Sequence, residues 1–252
     1  MFRQSMSKLL LDGLSLGFPL LPVPGDVVFP HQVVTLAVTD KKSIQAMEYA
    51  RSRDEIIFLS ATKLTLTQAG ADLFFLLINP PWATDLESDE GKPDYSIFDA
   101  GTIGTILELK TFDGQAQVKV QGQSRGHVHY FDYDPDEWDK TFYSVYVETL
   151  TEPNEWPQEL EALAHSLNSA FAGYAQRNPK ITPEMVAQVT AIQNPSRRCD
   201  SMAQYLPRWP PPGETGTEED YFEGLAKEKQ NLLELLDPLE RMAALEKILL
   251  ST

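Results

Sequence analysis

Cysteine is nearly absent from the sequence. Cys199 is the only one in 252 residues. An intramolecular disulfide and a cysteine-based zinc site are thereby excluded, and a lone thiol fits a reducing compartment. No apolar run approaches the roughly 18 residues that a membrane helix needs. The longest unbroken candidate is Leu73–Ile78. Near the N-terminus Arg3, Lys8 and Leu9–Leu11 faintly resemble a signal peptide, but Asp12 breaks the run and no small-residue cleavage site follows. A cytoplasmic location is the expectation. Basic charge is scarce as well: Lys and Arg number 21 against 37 Asp and Glu, a net charge of −16. Both halves share the excess, with 12 basic and 21 acidic side chains in residues 1–150 and 9 and 16 after them. Such a surface repels a nucleic-acid backbone or an anionic membrane, so neither is expected as a partner. Phosphate-binding signatures are missing too. The only Gly-Lys pair, Gly91-Lys92, runs into Pro93, and neither G-x-G-x-x-G nor H-E-x-x-H occurs. ATP hydrolysis, a cofactor and a metal are therefore not expected.

The balance that remains is globular, 42% apolar and 23% charged. A chain of this length forms one large domain or two small ones, burying roughly 70% of the surface it exposes unfolded. Its first half reads as strands. Phe18–Leu21 and Val33–Val38 are β-rich and are separated by turn formers, Pro22, Pro24, Gly25, Asp26 and Pro30. Thr39–Arg53 switches to helical spacing through Ile44, Met47, Tyr49 and Ala50, with Thr39 or Asp40 as the cap. Ile56–Ser60 is a compact strand, and an acidic loop is expected at Asp85–Asp94. Thr102–Lys110 and Gln115–Val120 flank Asp113-Gly114, a strong hairpin signal. Gly122–Tyr133 and Phe142–Leu150 complete the strands.

The second half reads as helices. Pro157 suits a first helical position, and Leu160, Leu163, Leu167, Phe171 and Tyr174 recur at three- and four-residue steps. Thr182-Pro183-Glu184 opens a helix with Met185, Val186, Val189 and Ile192 on its apolar face. Asn194-Pro195 opens another, carrying Cys199, Met202, Ala203 and Leu206. Asp237-Pro238-Leu239-Glu240 is a capped start for a helix with Met242, Leu245 and Leu249. Strands followed by helices make the fold α+β rather than an alternating βα fold.

Several groupings invite a chemical reading. Gly122-Gln123-Ser124-Arg125-Gly126 matches the G-x-S-x-G elbow of serine hydrolases, with His165 and acids downstream. The residues after it, His127–Phe131, alternate like a strand and do not supply the helix such an elbow needs. His127 and His129 lie two apart on that strand and share a face, but no third metal ligand is identifiable. The acidic cluster Asp132, Asp134, Asp136, Glu137 and Asp139 has Pro135 where a calcium loop requires glycine. Leu73–Ile78 followed by Asn79-Pro80-Pro81-Trp82 reads as a core strand. Any exposed part would be a contact surface, and Phe74, Phe75, Leu76 and Trp82 are the candidate contact residues.

The order of motifs along the chain resembles one family. Phe18-Pro19-Leu20-Leu21-Pro22-Val23 followed by Asp26-Val27-Val28-Phe29-Pro30-His31 is similar to the P-x-L-P-L-R-D-x-V-x-[FY]-P-H opening of the N-terminal domain of Lon ATP-dependent proteases. Gly101–Ile106 resembles the family's G-T-x-A-x-I strand, and Val118–Gly126 its V-x-V-x-G-x-x-R strand, with Gly122 and Arg125 in place. Asn178–Glu184 is similar to N-x-K-I-P-P-E, and Pro195–Leu206 to P-x-R-L-A-D-x-I-A-x-x-L. Lys229–Leu236 with Asp237–Arg241 and Leu245 resembles K-Q-x-L-L-E followed by D-x-x-x-R-L. The resemblance covers residues 18–250. Pro24-Gly25 departs from the usual L-R, Leu64–Tyr95 is longer than the family's loop, and Trp209–Phe222 interrupts the helical half.

The resemblance implies an N-terminal PUA-like β-domain with one helix over residues 18–150, followed by a C-terminal helical bundle over 151–252. Residues 1–17 would be an extension and 207–222 a Pro/Gly-rich loop. It implies a non-catalytic substrate-recognition and oligomerisation domain that binds exposed apolar segments of unfolded or damaged polypeptides. Self-association or a Lon-type protease would be the other partner. With the sequence ending at Thr252, the ATPase and Ser–Lys peptidase modules are expected to be absent. The alternatives are a free-standing regulator or small-ligand binder on the same fold and, more remotely, a serine hydrolase using Ser124.

Overall fold

The computed structural model describes residues 16–63, 96–112, 114–131, 142–152, 159–206 and 227–251. Seven strands are β1 (Leu16–Val23), β2 (Val33–Val38), β3 (Ile56–Lys63), β4 (Ser96–Ile97), β5 (Ala100–Phe112), β6 (Gln115–Phe131) and β7 (Ser144–Thr149). Among the described residues one helix, α1 (Lys41–Ser52), lies between them. Of the two candidate caps, Asp40 fills the role, accepting from the Ser43 N–H at 2.7 Å. Ser43, Ala46, Met47 and Ala50 form the buried stripe of α1. Tyr49, expected on that stripe, instead lies outside it with its ring 4.7 Å from Phe142. Position 49 falls about 60° from Ala46 and about 100° from Ala50 around a helix, so an aromatic there covers the flank.

The strands run in the order β1-β7-β6-β5-β3-β4, and a parallel β1–β3 pairing turns the first five into a closed ring. β1 reaches Val23, past its expected end at Leu21, although it contains Pro19 and Pro22. Its first half ladders with β7 and its second half with β3, Leu20 at the junction also donating its N–H to the Tyr143 carbonyl at 2.8 Å. A proline whose missing N–H faces the unpaired side loses no ladder bond. The hairpin expected between β5 and β6 forms, Gly114 taking φ 82 and Phe112 pairing with Gln115. Gln115–Val120 and the following strand prove to be one 17-residue strand, because the ladder with β5 continues past Gly122.

Among the described residues five helices follow: α2 (Glu159–Arg177), α3 (Pro183–Thr190), α4 (Pro195–Ala203), α5 (227–234) and α6 (Pro238–Ser251). Caps expected from sequence are formed. Thr182 Oγ1 accepts from Met185 N–H at 3.3 Å, Asn194 Oδ1 from Arg197 N–H at 2.9 Å and Asp237 Oδ1 from Leu239 N–H at 2.8 Å. On α3 only Val189 is fully buried, with Met185 and Val186 half-covered, because this short helix lies at the rim. Leu160, Leu167, Phe171, Met202, Leu245 and Leu249 form the helical core. Val27, Phe29 and Ala61 from the strand half enter the same cluster. Burying Val27 and Phe29 contributes about 1.5–3 kcal/mol each, so the cluster joins the two halves firmly. The α+β arrangement, with a mixed sheet and segregated helices, is as the sequence predicts. No helix among the described residues is long and apolar enough to cross a membrane.

Candidate functional site

β6 shares one edge between two neighbours. Ala116–Gln121 ladders with β2 and Gly126–Phe131 with β7, so the partner strands diverge around Gly122–Arg125. The segment leading into β2 closes one side of this fork. His31 N–H donates to the Gly122 carbonyl and Gly122 N–H to the Gln32 carbonyl, both at 2.9 Å. A Cβ on Gly122 would stand 2.3 Å from the Phe29 carbonyl oxygen, so the approach requires glycine. Across the strand, Ile103 faces Ser124 and Gly104 faces Gly122, leaving Gln123 as a bulged extra residue. His31 itself adopts φ 66, a left-handed conformation uncommon outside glycine.

Beneath the fork lies a buried ionic cluster that joins strands to helices. Arg125 grips Asp200 of α4 with two bonds, Nη1 to Oδ2 at 2.9 Å and Nη2 to Oδ1 at 2.7 Å. Its Nη1 also reaches Glu152 Oε1 at 2.6 Å, and Nε donates to the Leu233 carbonyl of α5 at 2.8 Å. Arg241 of α6 donates to Asp200 Oδ1 at 3.0 Å, Glu152 Oε1 at 2.9 Å and Ser196 Oγ at 2.8 Å. Ser196 Oγ in turn donates to Glu152. Two guanidiniums thus face two carboxylates, and the charges balance. Burial opposes the charge on Arg241, but Asp200 and Glu152 outweigh it and raise its pKa. A second buried pair, Lys229 Nζ to Asp26 Oδ1 at 2.9 Å, joins α5 to the turn after β1.

Over this cluster opens a cleft of about 320 Å³. Pro30, His31, Gln123 and Ser124 line it from the strand side, and Asn194, Ser196 and Arg197 from the helix side. Burial lowers the His31 pKa below 6.5, and the Arg197 charge adds to the effect. The imidazole is therefore neutral at pH 7. The arrangement offers hydrogen bonding and one exposed guanidinium, but not nucleophilic catalysis. Ser124 sits mid-strand, β6 continues to Phe131, and no hydrogen bond joins Ser124 Oγ to His31. The neighbouring carboxylates, Asp200 and Glu152, are held by arginines and do not orient an imidazole.

The other sequence-flagged groups fall elsewhere. His127 and His129 have ring centroids 6.2 Å apart, and His129 Nε2 lies 3.2 Å from Glu148 Oε2. Among the described residues no group of three His, Cys, Asp or Glu could hold a metal. Cys199 is fully buried, and burial raises its thiol pKa strongly. Phe74, Phe75, Leu76 and Trp82 lie outside the described residues, as do Asp132–Asp139, Pro157 and the 207–222 loop. Sequence reasoning missed the ionic cluster as a unit. Arg125, Asp200 and Arg241 were each present in quoted motifs, yet nothing in sequence signalled that they meet, and Glu152 carried no signal at all.

Comparison with known proteins agrees with the motif order. The family model described as the ATP-dependent protease La (LON) substrate-binding domain matches residues 17–211. The chain belongs to this Lon substrate-binding family. The Lon protease of Rhizobium meliloti is 35% identical over 190 residues, covering 75% of this chain and 20% of that protein. Lon protease 1 of Syntrophobacter fumaroxidans is 34% identical over 209 residues, 82% and 22% respectively. Among solved structures, the N-terminal domain of a Mycobacterium avium complex Lon protease superposes with a TM-score of 0.60 at 19% identity, covering 93% of this chain and 98% of that one. That similarity places both on one fold. The chain spans about a fifth of the length of the curated relatives it matches. What matches is the substrate-binding region of Lon, not its catalytic part.

Proposed function

We propose that this chain is a non-catalytic recognition and oligomerisation domain, with a PUA-like β-domain over 18–150 and a helical subdomain over 151–252. It binds exposed apolar segments of unfolded or damaged polypeptides, in the context of self-association or a Lon-type protease. The match of residues 17–211 to a substrate-binding family carries this reading. The surface chemistry supports it: Val33, Leu107, Phe112 and Tyr130 are exposed on a chain of net charge −16. Strong like charge keeps a protein with apolar contact residues soluble. Phe74, Phe75, Leu76 and Trp82 remain proposed contacts. The test is equilibrium binding of one protein in its reduced, unfolded form and in its native form. Selective binding of the unfolded form is expected, and equal binding of both, or of neither, would count against the reading.

The cleft favours a second reading, a small-ligand binder on the same fold. A rise in Tm with millimolar inorganic phosphate or acetate, lost in Arg197→Ala, would support it. No shift would leave the cleft a structural seam.

A further inference from the structure

We propose that the outer edge of β2 takes up an extended segment of a client polypeptide as an added β-strand. This rests on the client-binding function above and specifies where and how the grip is made.

β2 pairs with β6 on one side, and no described strand pairs with its other side. Exposed edges are ordinarily protected by charge, proline or a bulge, because their unpaired backbone groups invite pairing. β2 reads Val33-Val34-Thr35-Leu36-Ala37-Val38, with no charge, proline or glycine. The β1 strand, by contrast, lies within the closed ring.

The ladder dictates which backbone groups are offered. Gly122 exchanges hydrogen bonds with His31 and Gln32. Alternation along the antiparallel register then assigns the next exchanges to Val34 with Val120, Leu36 with Val118 and Val38 with Ala116. The N–H and C=O groups of Val33, Thr35 and Ala37 consequently face outward. Those same three side chains are exposed, Val33 by 47%, whereas Val34, Leu36 and Val38 pack on the core beneath. The strand is therefore anchored by one set of residues and open through the other. Six residues present an edge of roughly 20 Å.

Charge selects the occupant. A second copy of this chain would bring another −16 to the contact, whereas a neutral or basic extended segment meets no such repulsion. Main-chain pairing tolerates many side chains, as a surface that accepts varied clients requires. It also separates unfolded from native proteins, since a native chain has few unpaired extended segments to donate.

The experiment uses the intact chain and a labelled ten-residue peptide of alternating Val and Lys, read by fluorescence anisotropy. Two N-methylated forms are compared. Methylation at alternate residues blocks one peptide edge and should change Kd by less than about threefold, whereas methylation at every residue blocks both and should weaken binding by at least about tenfold. Thr35→Pro removes an outward donor without touching the β2–β6 ladder, and should lose about tenfold in affinity with an unchanged circular-dichroism spectrum. Should that variant misfold, Thr35→Lys places charge on the edge and should weaken binding of the same basic peptide more than it weakens a neutral Val-Thr peptide. Equal binding of all three peptide forms would overturn strand addition while leaving client binding intact. So would binding of an unfolded protein with no peptide binding. Dimerisation abolished by Thr35→Lys, without any effect on peptide, would give the edge to a second copy and overturn the proposal. If neither peptide nor unfolded protein binds, the functional reading itself falls.

Discussion

Replacing Asp200 with alanine tests the seam between strands and helices. Asp200 is 2% exposed and receives three bonds from Arg125 and Arg241, themselves 3% and 0% exposed. Without it, two buried guanidiniums share the single carboxylate of Glu152, and one positive charge is left uncompensated. Removing one partner of a buried ion pair costs about 3–5 kcal/mol, whereas replacing both with apolar groups is often nearly neutral. For a chain near this size each kcal/mol shifts Tm by about 2–4 °C, so Asp200→Ala should lower Tm by roughly 10 °C. The double variant Arg125→Met with Asp200→Leu leaves Arg241 paired with Glu152 and should recover most of the loss. Urea unfolding followed by circular dichroism gives both numbers. A single-variant loss below about 1 kcal/mol, or a double variant no better than the single one, would refute the claim that charge balance holds the seam.

Other consequences follow from the same geometry. Gly122→Ala sets a Cβ against the Phe29 carbonyl and should cost on the order of 1–3 kcal/mol, read as a lower urea midpoint. Cys199 should react with a thiol reagent only after denaturant is added, since its thiol is buried with a raised pKa; reaction in the native state would contradict this burial. His31 has a lowered folded pKa, so the unfolded chain takes up its proton first as pH falls. The stability it contributes is present above pH 6.5 and lost as pH falls through the folded pKa. An NMR titration midpoint for His31 at or above 6.5 would refute the assignment, and His31→Asn, which tolerates the left-handed backbone, should reduce the acid sensitivity.

Local signals in the sequence carried most of the fold. Asp40, Thr182, Asn194 and Asp237 cap the helices that begin beside them, and the β5–β6 hairpin turns at Gly114, because capping and tight turns depend on residues a few positions apart. Closure of the ring by β1 and β3 was not legible, since parallel pairing joins segments some forty residues apart without a local mark. Strand ends also shifted, as at Pro22, where pairing on one side alone permits proline. The site was least legible. Arg125, Asp200 and Arg241 come from β6, α4 and α6 and Glu152 from the segment after β7, and only packing brings them together. The bulge at Gln123 and the left-handed His31 arise from the same tertiary fork. Motif order nevertheless pointed to the family, because many weak matches in sequence constrain more than any single residue does.

Hydrogen exchange of the intact chain, with and without a saturating reduced and unfolded protein, tests client capture most directly. Slowed exchange of a discrete set of this chain's amides in the presence of the unfolded protein, and none with its native form, is the predicted result. Identical exchange at every amide in all three samples would contradict it.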